Sequence, residues 1–531
     1  MHTLRGYTAA TTRLVQGAVS AYFRQRQARH RHLITKKWPQ RSAADQRQSP
    51  EALLTLAIET SCDDTCVAIL EKSGSAARLH ANSKISSDNR EFGGIRPITA
   101  VESHMAEVAG LVESALQFLP PAESGQQGVP VRSRATGEIT YRRKPDFISV
   151  TRGPGMTSSL ATGLTMAKGL AVAWGVPLLA VHHMQAHALT PRLMTALKQS
   201  QQKPAFPFLS LLVSGGHTQL LLSRSLDAHT ILAESSNVAI GDMLDKCARL
   251  ILPRAVLESA GNVMYGAQLE TFAFPPSCSS SKPDAAPFAA AAAATTSRGA
   301  NSVVPDFNYS PPLKRADEIK RYTSPDHGWT LTPPLVESRQ MAYDFSGLGG
   351  QVQAIMHKNP DMDEAQRREL ARATMRLAFE HLASRVIFAL NDPVVQTMAG
   401  LAKRVTTTTS SSTTTTAEQR DRETGPASTT RIKTLVVSGG VASNRFLMHV
   451  LRATLRVRGF GSVEIVRPPA EMCTDNAAMI AWAGMEMWEA GWRTELDVLP
   501  LRKWSMDPEK EGGILGVPGW TSRNEEAKIE Y

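Results

Sequence analysis

The chain has 531 residues, 42% of them hydrophobic and 20% charged, which allows two or three domains around a large core. No uninterrupted apolar run reaches about 18 residues, so no transmembrane helix and no membrane insertion are expected. Five scattered cysteines (Cys62, Cys66, Cys247, Cys278, Cys473) make neither a disulfide framework nor a CxxC pair, and they point to a reducing compartment.

The net charge of +10 is unevenly placed. Residues 1–50 hold eight Arg, two Lys and one acid, Asp45, a local balance of +9 that leaves about +1 for the remaining 481 residues. The high isoelectric point is therefore no evidence for a basic nucleic-acid-binding body. This segment is rich in Arg, Ser, Thr and Ala. Leu4, Val15, Val19 and Phe23 can share one helical face. Residues 1–49 read as a mitochondrial transit peptide, without the apolar run of a secretory signal. The competing reading is a disordered basic tail.

Next comes "LLTLAIETSCDDTCVAIL", an apolar run, a polar turn and a second apolar run, which predicts a β-hairpin. Its turn carries Glu59, Asp63 and Asp64, carboxylates able to bind a cation, orient water or accept a proton. Acidic residues also favour turns for their own sake. Residues 120–144 are polar and basic and read as an insertion. The stretch from Asp146 to His187 alternates strand, helix, strand, helix. A Gly-Pro-Gly turn at 153–155 precedes its first helix.

That stretch ends in "VHHMQAHAL". His183 and His187 stand four apart, on one face of a helix, where two imidazoles can share a divalent ion. Buried histidines bonded to backbone give the same spacing. Zinc proteases with paired helical histidines need glutamate directly after the first histidine. Met184 follows here and Gln185 comes next, so peptide hydrolysis is excluded.

A second hairpin is predicted in "FLSLLVSGGHTQLLLS", residues 208–223. A third strand-to-glycine turn occurs in "TLVVSGGVASNRFLMHVLRATL", where Ser438, Gly439 and Gly440 lead into an amphipathic helix. Small residues let backbone N–H groups approach phosphate oxygens, and a helix N-terminus favours an anion. The two hairpins, about 150 residues apart, suggest a duplicated α/β unit. Single glycine pairs are ordinary turns; three such turns after buried-type strands resemble the actin, sugar-kinase and chaperone-ATPase superfold, two domains around a nucleotide cleft. A Walker A sequence is absent. Finally, "EMCTDNAAMIAWAGM" places Asp475 at the start of an apolar helix. It reads as an N-cap or as a third metal ligand beside the histidines, with Cys473 as a softer alternative. Low-complexity tracts near 275–312 and 403–430 read as disordered inserts.

Taken in order, "IETSCDDT", "RGPG", "VHHMQAH", "LLVSGGHTQL", "GDMLDKCARL", "DFSGL", "VVSGGVASNRFL" and "CTDNAAMIAWAG" resemble the tRNA N6-adenosine threonylcarbamoyltransferases, over roughly residues 53–492. The leader resembles that of the mitochondrial branch. The resemblance implies an α/β fold of two RNase H-like domains, the actin, sugar-kinase and chaperone-ATPase superfold, around a nucleotide cleft. It implies an N-terminal lobe over 50–205 completed by 475–505, a C-terminal lobe over 206–474, and a peripheral tail over 506–531.

It further implies transfer of a threonylcarbamoyl group from threonylcarbamoyl-AMP to N6 of adenosine 37 in mitochondrial tRNAs reading ANN codons, in the matrix. The donor would come from a separate synthetase, and the enzyme would be a homodimer. Residue by residue, His183, His187 and Asp475 match the ligands of one divalent metal ion per subunit, zinc or iron. Leu212, Val213, Ser214, Gly215 and Gly216 match the segment around the donor phosphate. Asp245 matches a ribose-binding acid. Asn444, beside Ser438, Gly439 and Gly440, and less securely Gly266, match other nucleotide contacts, and Asp63 matches an acid needed for activity.

The chain departs from the pattern at several places. Ile98 stands where the family usually has Glu, Asp64 replaces a second loop Glu, "MYGAQLE" replaces "YPGGP", and "DFSGLGG" lacks a following lysine. Arg142, Arg143 and Lys144, or Arg367 and Arg368, offer local basic patches for tRNA phosphates, though such runs are commonly just solvated surface. Two readings of other classes compete: a small-molecule kinase or carbamoyltransferase of the same superfold, and a non-catalytic tRNA-binding subunit.

Overall fold

The computed structural model describes residues 52–122, 128–133, 136–200, 202–261, 263–275, 307–405 and 431–522. The segment 1–49 expected to be a transit peptide, most of the tract at 275–312 and nearly all of 403–430 lie outside the described residues.

Two sheets organise the chain. The first is built from β1 (Leu53–Glu59), β2 (Asp64–Ser73) and β3 (Ala76–Ser86), an antiparallel meander, then from α1 (Pro97–Leu116), β4 (Phe147–Gly153), α2 (Thr157–Trp174), β5 (Leu178–His182) and α3 (His183–Leu197). The second repeats the plan with β6 (Phe208–Val213), β7 (Thr218–Ser223) and β8 (His229–Glu234). The helices α4 (Ile240–Ile251), α5 (Tyr265–Ala273), α6 (Ser346–Lys358) and α7 (Glu364–Asn391) follow, then β9 (Thr434–Ser438), α8 (Arg445–Leu455) and β10 (Glu464–Val466). The chain then returns to the first sheet through α9 (Ala477–Glu489), β11 (Trp492–Thr494) and β12 (Trp520–Ser522).

Strand order is β12-β11-β5-β4-β1-β2-β3 in the first sheet and β8-β7-β6-β9-β10 in the second. In both, three antiparallel strands are followed by two strands parallel to the first, with β4 beside β1 and β9 beside β6. This shared order of antiparallel meander and parallel extension is the RNase H-like plan, present twice. The two predicted hairpins are the first two strands of each copy.

The apolar runs read as buried strands because both faces are covered. In β1, Leu54, Leu56 and Ile58 pack with Val108 and Leu111 of α1 and Leu164 of α2, while Ala57 faces the layer of α3 and α9. In α9, Met479, Ile480, Trp482 and Met485 have no exposed surface, each contributing about 1.5–3 kcal/mol of burial. The second lobe's core packs Leu209, Leu211 and Val213 under Leu244, Phe379 and Val450.

The helix that carries the paired histidines lies between the lobes. Leu189 and Leu193 of α3 join the first lobe's core. Met184 and Ala188, on its other side, pack on Leu212 and Leu221 of the second sheet. A helix fixed from both sides presents its first turn at the junction of the two sheets.

Three local expectations change. Residues 120–144 are not simply an unstructured insertion: Val129–Arg132 and Ile139–Arg142 pair as a hairpin whose alternating side chains bury Val129 and Val131. The stretch after 505, expected to be peripheral, supplies the edge strand β12 and buries Met506 and Ile514. The helix Pro393–Val405 extends into the predicted insert at 403. Cys62, Cys66, Cys247 and Cys473 are free thiols. Among the described residues no helix is long and apolar enough to cross a membrane.

Candidate metal centre and nucleotide cleft

At the end of β5 the chain turns directly into α3, and His182 is the residue that caps the helix. Its Nδ1 accepts hydrogen bonds from the N–H groups of Met184 and Gln185 at 3.2 and 3.4 Å, and its Nε2 faces the Trp504 carbonyl at 3.1 Å. Both ring nitrogens are thus engaged, which removes His182 from any ligand set. His183 and His187 follow on one helix face, their rings 4.7 Å apart and nearly perpendicular.

Asp475 meets them from the far side. The cap of α9 is the next residue: Asn476 Oδ1 accepts from the Met479 N–H at 3.0 Å. This overturns the N-cap reading of Asp475 and leaves its carboxylate free to turn inward. Asp475 Oδ1 lies 3.1 Å from His187 Nε2 and 3.5 Å from His183 Nε2. One donor atom from each of the three residues falls within 4.8 Å of the others.

The donor chemistry fits a divalent cation. Two imidazoles and a carboxylate suit zinc or iron. Behind them Glu59, with no exposed surface, places Oε2 3.3 Å from His183 Nδ1, the carboxylate–histidine support common at metal sites. Burial works against a charge on His183, but Asp475 and Glu59 outweigh it and hold its pKa up at about 9. Burial pushes the Asp475 carboxyl up, and the facing His183 outweighs it and holds the group well below its ordinary value. Two carboxylates thus surround two imidazoles in a buried space, an excess of negative charge that a cation would balance. His187 Nδ1 is buried with no hydrogen-bond partner among the described residues.

The first hairpin turn adjoins this centre. Asp64 is occupied, pairing with Lys84 Nζ at 3.0 Å and accepting from the Ser86 hydroxyl. Lys84 also reaches Thr474 Oγ1 at 3.2 Å, beside Asp475. Asp63 has no cationic partner among the described residues. Burial, then Asp64 and Asp475, raise its pKa to about 6.

On the second lobe, the glycine turns converge. Leu212 and Val213 are buried strand residues, so only their backbone reaches the cleft, whereas Gly215 and Gly216 are exposed. Ser438 is in register with Leu212 across β6 and β9, and its Oγ is buried without a hydrogen-bond partner among the described residues. Gly439 has φ +96°, and a Cβ there would sit 2.4 Å from the Val213 carbonyl oxygen. Only glycine lets the two turns approach so closely. Gly440 faces open space. Gly241, at the start of α4, donates its N–H to the Ser214 carbonyl at 3.1 Å.

His217 closes the hairpin by donating its N–H to Ser214 Oγ at 3.0 Å. Burial, with His183 and His187 nearby, lowers its pKa to about 4. The glycine turn therefore lies within electrostatic reach of the histidine pair.

Asp245 and Gly266 come together: the Gly266 N–H donates to Asp245 Oδ1 at 2.6 Å. Burial raises Asp245 to about 6, against that hydrogen bond. The side chain of Asn444 is engaged as the cap of α8, its Oδ1 accepting from the Leu447 N–H at 2.8 Å. Ile98 lies on the first turn of α1, 59% exposed.

Both basic patches are tied down locally. Arg142 donates to the Leu119 carbonyl, Arg143 pairs with Glu71 and Asp146, and Lys144 donates to the Trp174 carbonyl. Arg367 donates to the Ile251 carbonyl and Arg368 pairs with Glu364. Sequence reasoning missed the support Glu59 gives His183, the Lys84 link and the stacking of the two glycine turns. All three join residues distant in the chain.

Comparison with known proteins places these features in a family. The sequence pattern of tRNA N6-adenosine threonylcarbamoyltransferase (TsaD) matches residues 130–482. The mitochondrial tRNA N6-adenosine threonylcarbamoyltransferase of Schizosaccharomyces pombe is 31% identical over 488 residues, 90% of each chain. Among solved structures, YeaZ from Pseudomonas aeruginosa is 18% identical, covering 33% of this chain and 60% of its own, with a TM-score of 0.19. T. thermophilus RuvC in complex with a Holliday junction substrate is 14% identical, covering 29% and 83%, with a TM-score of 0.17. Those two structural likenesses are too slight to carry any inference.

Proposed function

The chain belongs to the tRNA N6-adenosine threonylcarbamoyltransferase family and is an acyltransferase acting on tRNA, and from that premise we propose how its own residues perform the transfer. The donor is threonylcarbamoyl-AMP, made by a separate synthetase. The acceptor is N6 of adenosine 37 in mitochondrial tRNAs reading ANN codons. The name of the yeast relative supports a mitochondrial setting, and the basic leader supports import to the matrix. The enzyme works as a homodimer.

The observation that carries this reading is the convergence of His183, His187 and Asp475 at the lobe junction, beside the glycine turns. The donor is a mixed carbamic–phosphoric anhydride. Attack by the adenosine amine forms an N6–carbon bond and breaks the bond from the carbamoyl carbon to the phosphate oxygen, releasing AMP. The N–H groups of Gly215 and Gly216, which are exposed, and of half-buried Gly440 would meet phosphate oxygens as negative charge builds on the leaving group. Asp245, reached by the Gly266 N–H, accepts from a ribose hydroxyl. Asp63 takes the proton lost by the amine; a pKa near 6 suits a base at neutral pH.

His183, His187 and Asp475 would hold one zinc or iron ion, which when bound supplies Lewis-acid polarisation of the donor. Glu59 orients His183, and α3, gripped between the lobes, keeps both imidazoles facing the cleft. The main contribution of the protein is positioning: a bound anhydride is held against an adenosine turned out of the anticodon loop.

The test is transfer by the purified chain from threonylcarbamoyl-AMP to unmodified tRNA, read as threonylcarbamoyladenosine by nucleoside mass spectrometry. A free hydroxyl acceptor phosphorylated or carbamoylated instead, with tRNA unmodified in the presence of zinc or iron, contradicts the reading.

A further inference from the structure

A groove of about 770 Å³ opens between α8 and the edge strand β10. One wall is the outer face of α8 and its continuation. Arg445, His449, Arg452 and Arg456 line it at relative positions i, i+4, i+7 and i+11, a single helical face. A helix rises 1.5 Å per residue, so the three arginines stand roughly 10 and 6 Å apart along its axis. All three are exposed. Arg445 shares the field of Glu270, but among the described residues Arg452 and Arg456 have no acidic partner.

The opposite wall carries Arg467, just after β10. Its Nη1 donates to the carbonyls of Ala442 and Ser443, each at 3.1 Å. These carbonyls belong to the turn that follows Gly439 and Gly440. Since β10 runs parallel to β9 and α8 starts beyond the same turn, Arg445 and Arg467 mark the end of the groove nearest the nucleotide cleft. Arg452 and Arg456 lead away from it. The groove is therefore a positively charged track that begins at the candidate phosphate site.

The chain's own inserts carry little net counter-charge. Residues 276–306 hold two basic and two acidic residues, and 406–430 two basic and three acidic. An external polyanion is the better match. A nucleic-acid strand presents a regular row of phosphates to such a stripe, and phosphate contacts set most of its affinity.

We propose that this groove binds the sugar–phosphate backbone of the tRNA next to the base being modified, and guides that base toward the donor held at the glycine turns. The inference rests on the function proposed above and adds where the tRNA lies. It also explains how a body with almost no net charge can bind RNA: the charge is local.

The test uses the full chain with Arg452→Ala/Arg456→Ala and, alongside, Arg452→Lys/Arg456→Lys. Both positions are solvent-exposed and away from the cleft. tRNA affinity is measured over a salt series, and AMP release without tRNA is measured separately. The alanine pair should weaken tRNA binding at least about tenfold near 0.15 M salt and reduce the salt slope by about 2. The lysine pair should keep most of both, and the KM for threonylcarbamoyl-AMP should stay the same. An unchanged tRNA affinity and slope in the alanine pair overturns the proposal. So does a pair that loses affinity for an acidic polypeptide such as poly-glutamate while keeping tRNA. A wild-type chain that binds tRNA through these arginines but never modifies it leaves the groove standing and refutes the transfer reaction. A wild-type chain that binds no tRNA refutes both.

Discussion

Glu59→Gln isolates the support behind the candidate metal centre. Glu59 is fully buried; its Oε1 accepts from the Ser61 N–H at 2.5 Å, and its Oε2 faces His183 Nδ1 at 3.3 Å and accepts from the Thr151 hydroxyl. With the carboxylate present, His183 donates from Nδ1, so that Nε2 is the nitrogen left to serve a cation once its own proton is displaced. The introduced amide is nearly isosteric and can keep the bond to Ser61 with its oxygen. Its NH2 then faces His183 and requires Nδ1 to accept. That moves the ring proton to Nε2, the atom needed for a ligand. Loss of such a supporting carboxylate costs about 10–100-fold in metal affinity, or roughly 1.4–2.7 kcal/mol. The assay is competitive titration with a chromophoric zinc chelator, with thermal unfolding as the control for folding. Metal affinity within about twofold of wild type, in a folded variant of full activity, would refute the reasoning.

Other outcomes follow from the same geometry. His187→Ala should lower the rate of transfer by roughly 10²-fold or more, and chelator-treated wild type should lose activity that added zinc or iron restores; metal content by elemental analysis separates the two effects. Gly439→Ala forces a Cβ to within 2.4 Å of the Val213 carbonyl oxygen at φ +96°, so unfolding free energy should fall by about 1–3 kcal/mol, measured by urea denaturation. Asp245 titrates near 6, so its ionised fraction rises about tenfold between pH 5 and 7. The KM for the donor should fall by a comparable factor over that range in wild type, and the change should flatten in Asp245→Asn. The stability effect has the opposite sign. A carboxyl whose pKa is raised by folding favours the folded chain at low pH, and that contribution is lost as pH rises from about 4 through 6.

Much of the site was legible because its residues sit where local rules place them. A one-turn histidine spacing can be read from sequence, and so can strand, turn, strand patterns repeated about 150 residues apart. The choice between cap and ligand at Asp475 could not be read. Asp475 and Asn476 are both good caps, and only the packing of α9 shows that Asn476 takes the role. The role of Glu59 depends on a contact across 124 residues. Local charge misled in both directions. The contiguous runs Arg142–Lys144 and Arg367–Arg368 are bonded to their own surroundings. The basic stripe on α8 and its continuation, with Arg452 and Arg456 lacking an acidic partner among the described residues, is spread at helical intervals and forms no run at all. The hairpin within 120–144 and the edge strand at 520–522 were hidden for a related reason: short strands in polar sequence gain their stability from a partner, not from their own composition.

The most direct measurement is the position and stoichiometry of the transferred group. The purified chain is incubated with threonylcarbamoyl-AMP and a mitochondrial tRNA transcript of the ANN-reading set. Nuclease fragments are then mapped by mass spectrometry while released AMP is counted. The expected result is one threonylcarbamoyl group at adenosine 37 for each AMP formed by transfer, and none on a transcript carrying guanosine there. AMP release with no modified adenosine, or full transfer by Asp475→Ala without bound metal, would contradict the assignment of the lobe junction as the site of transfer.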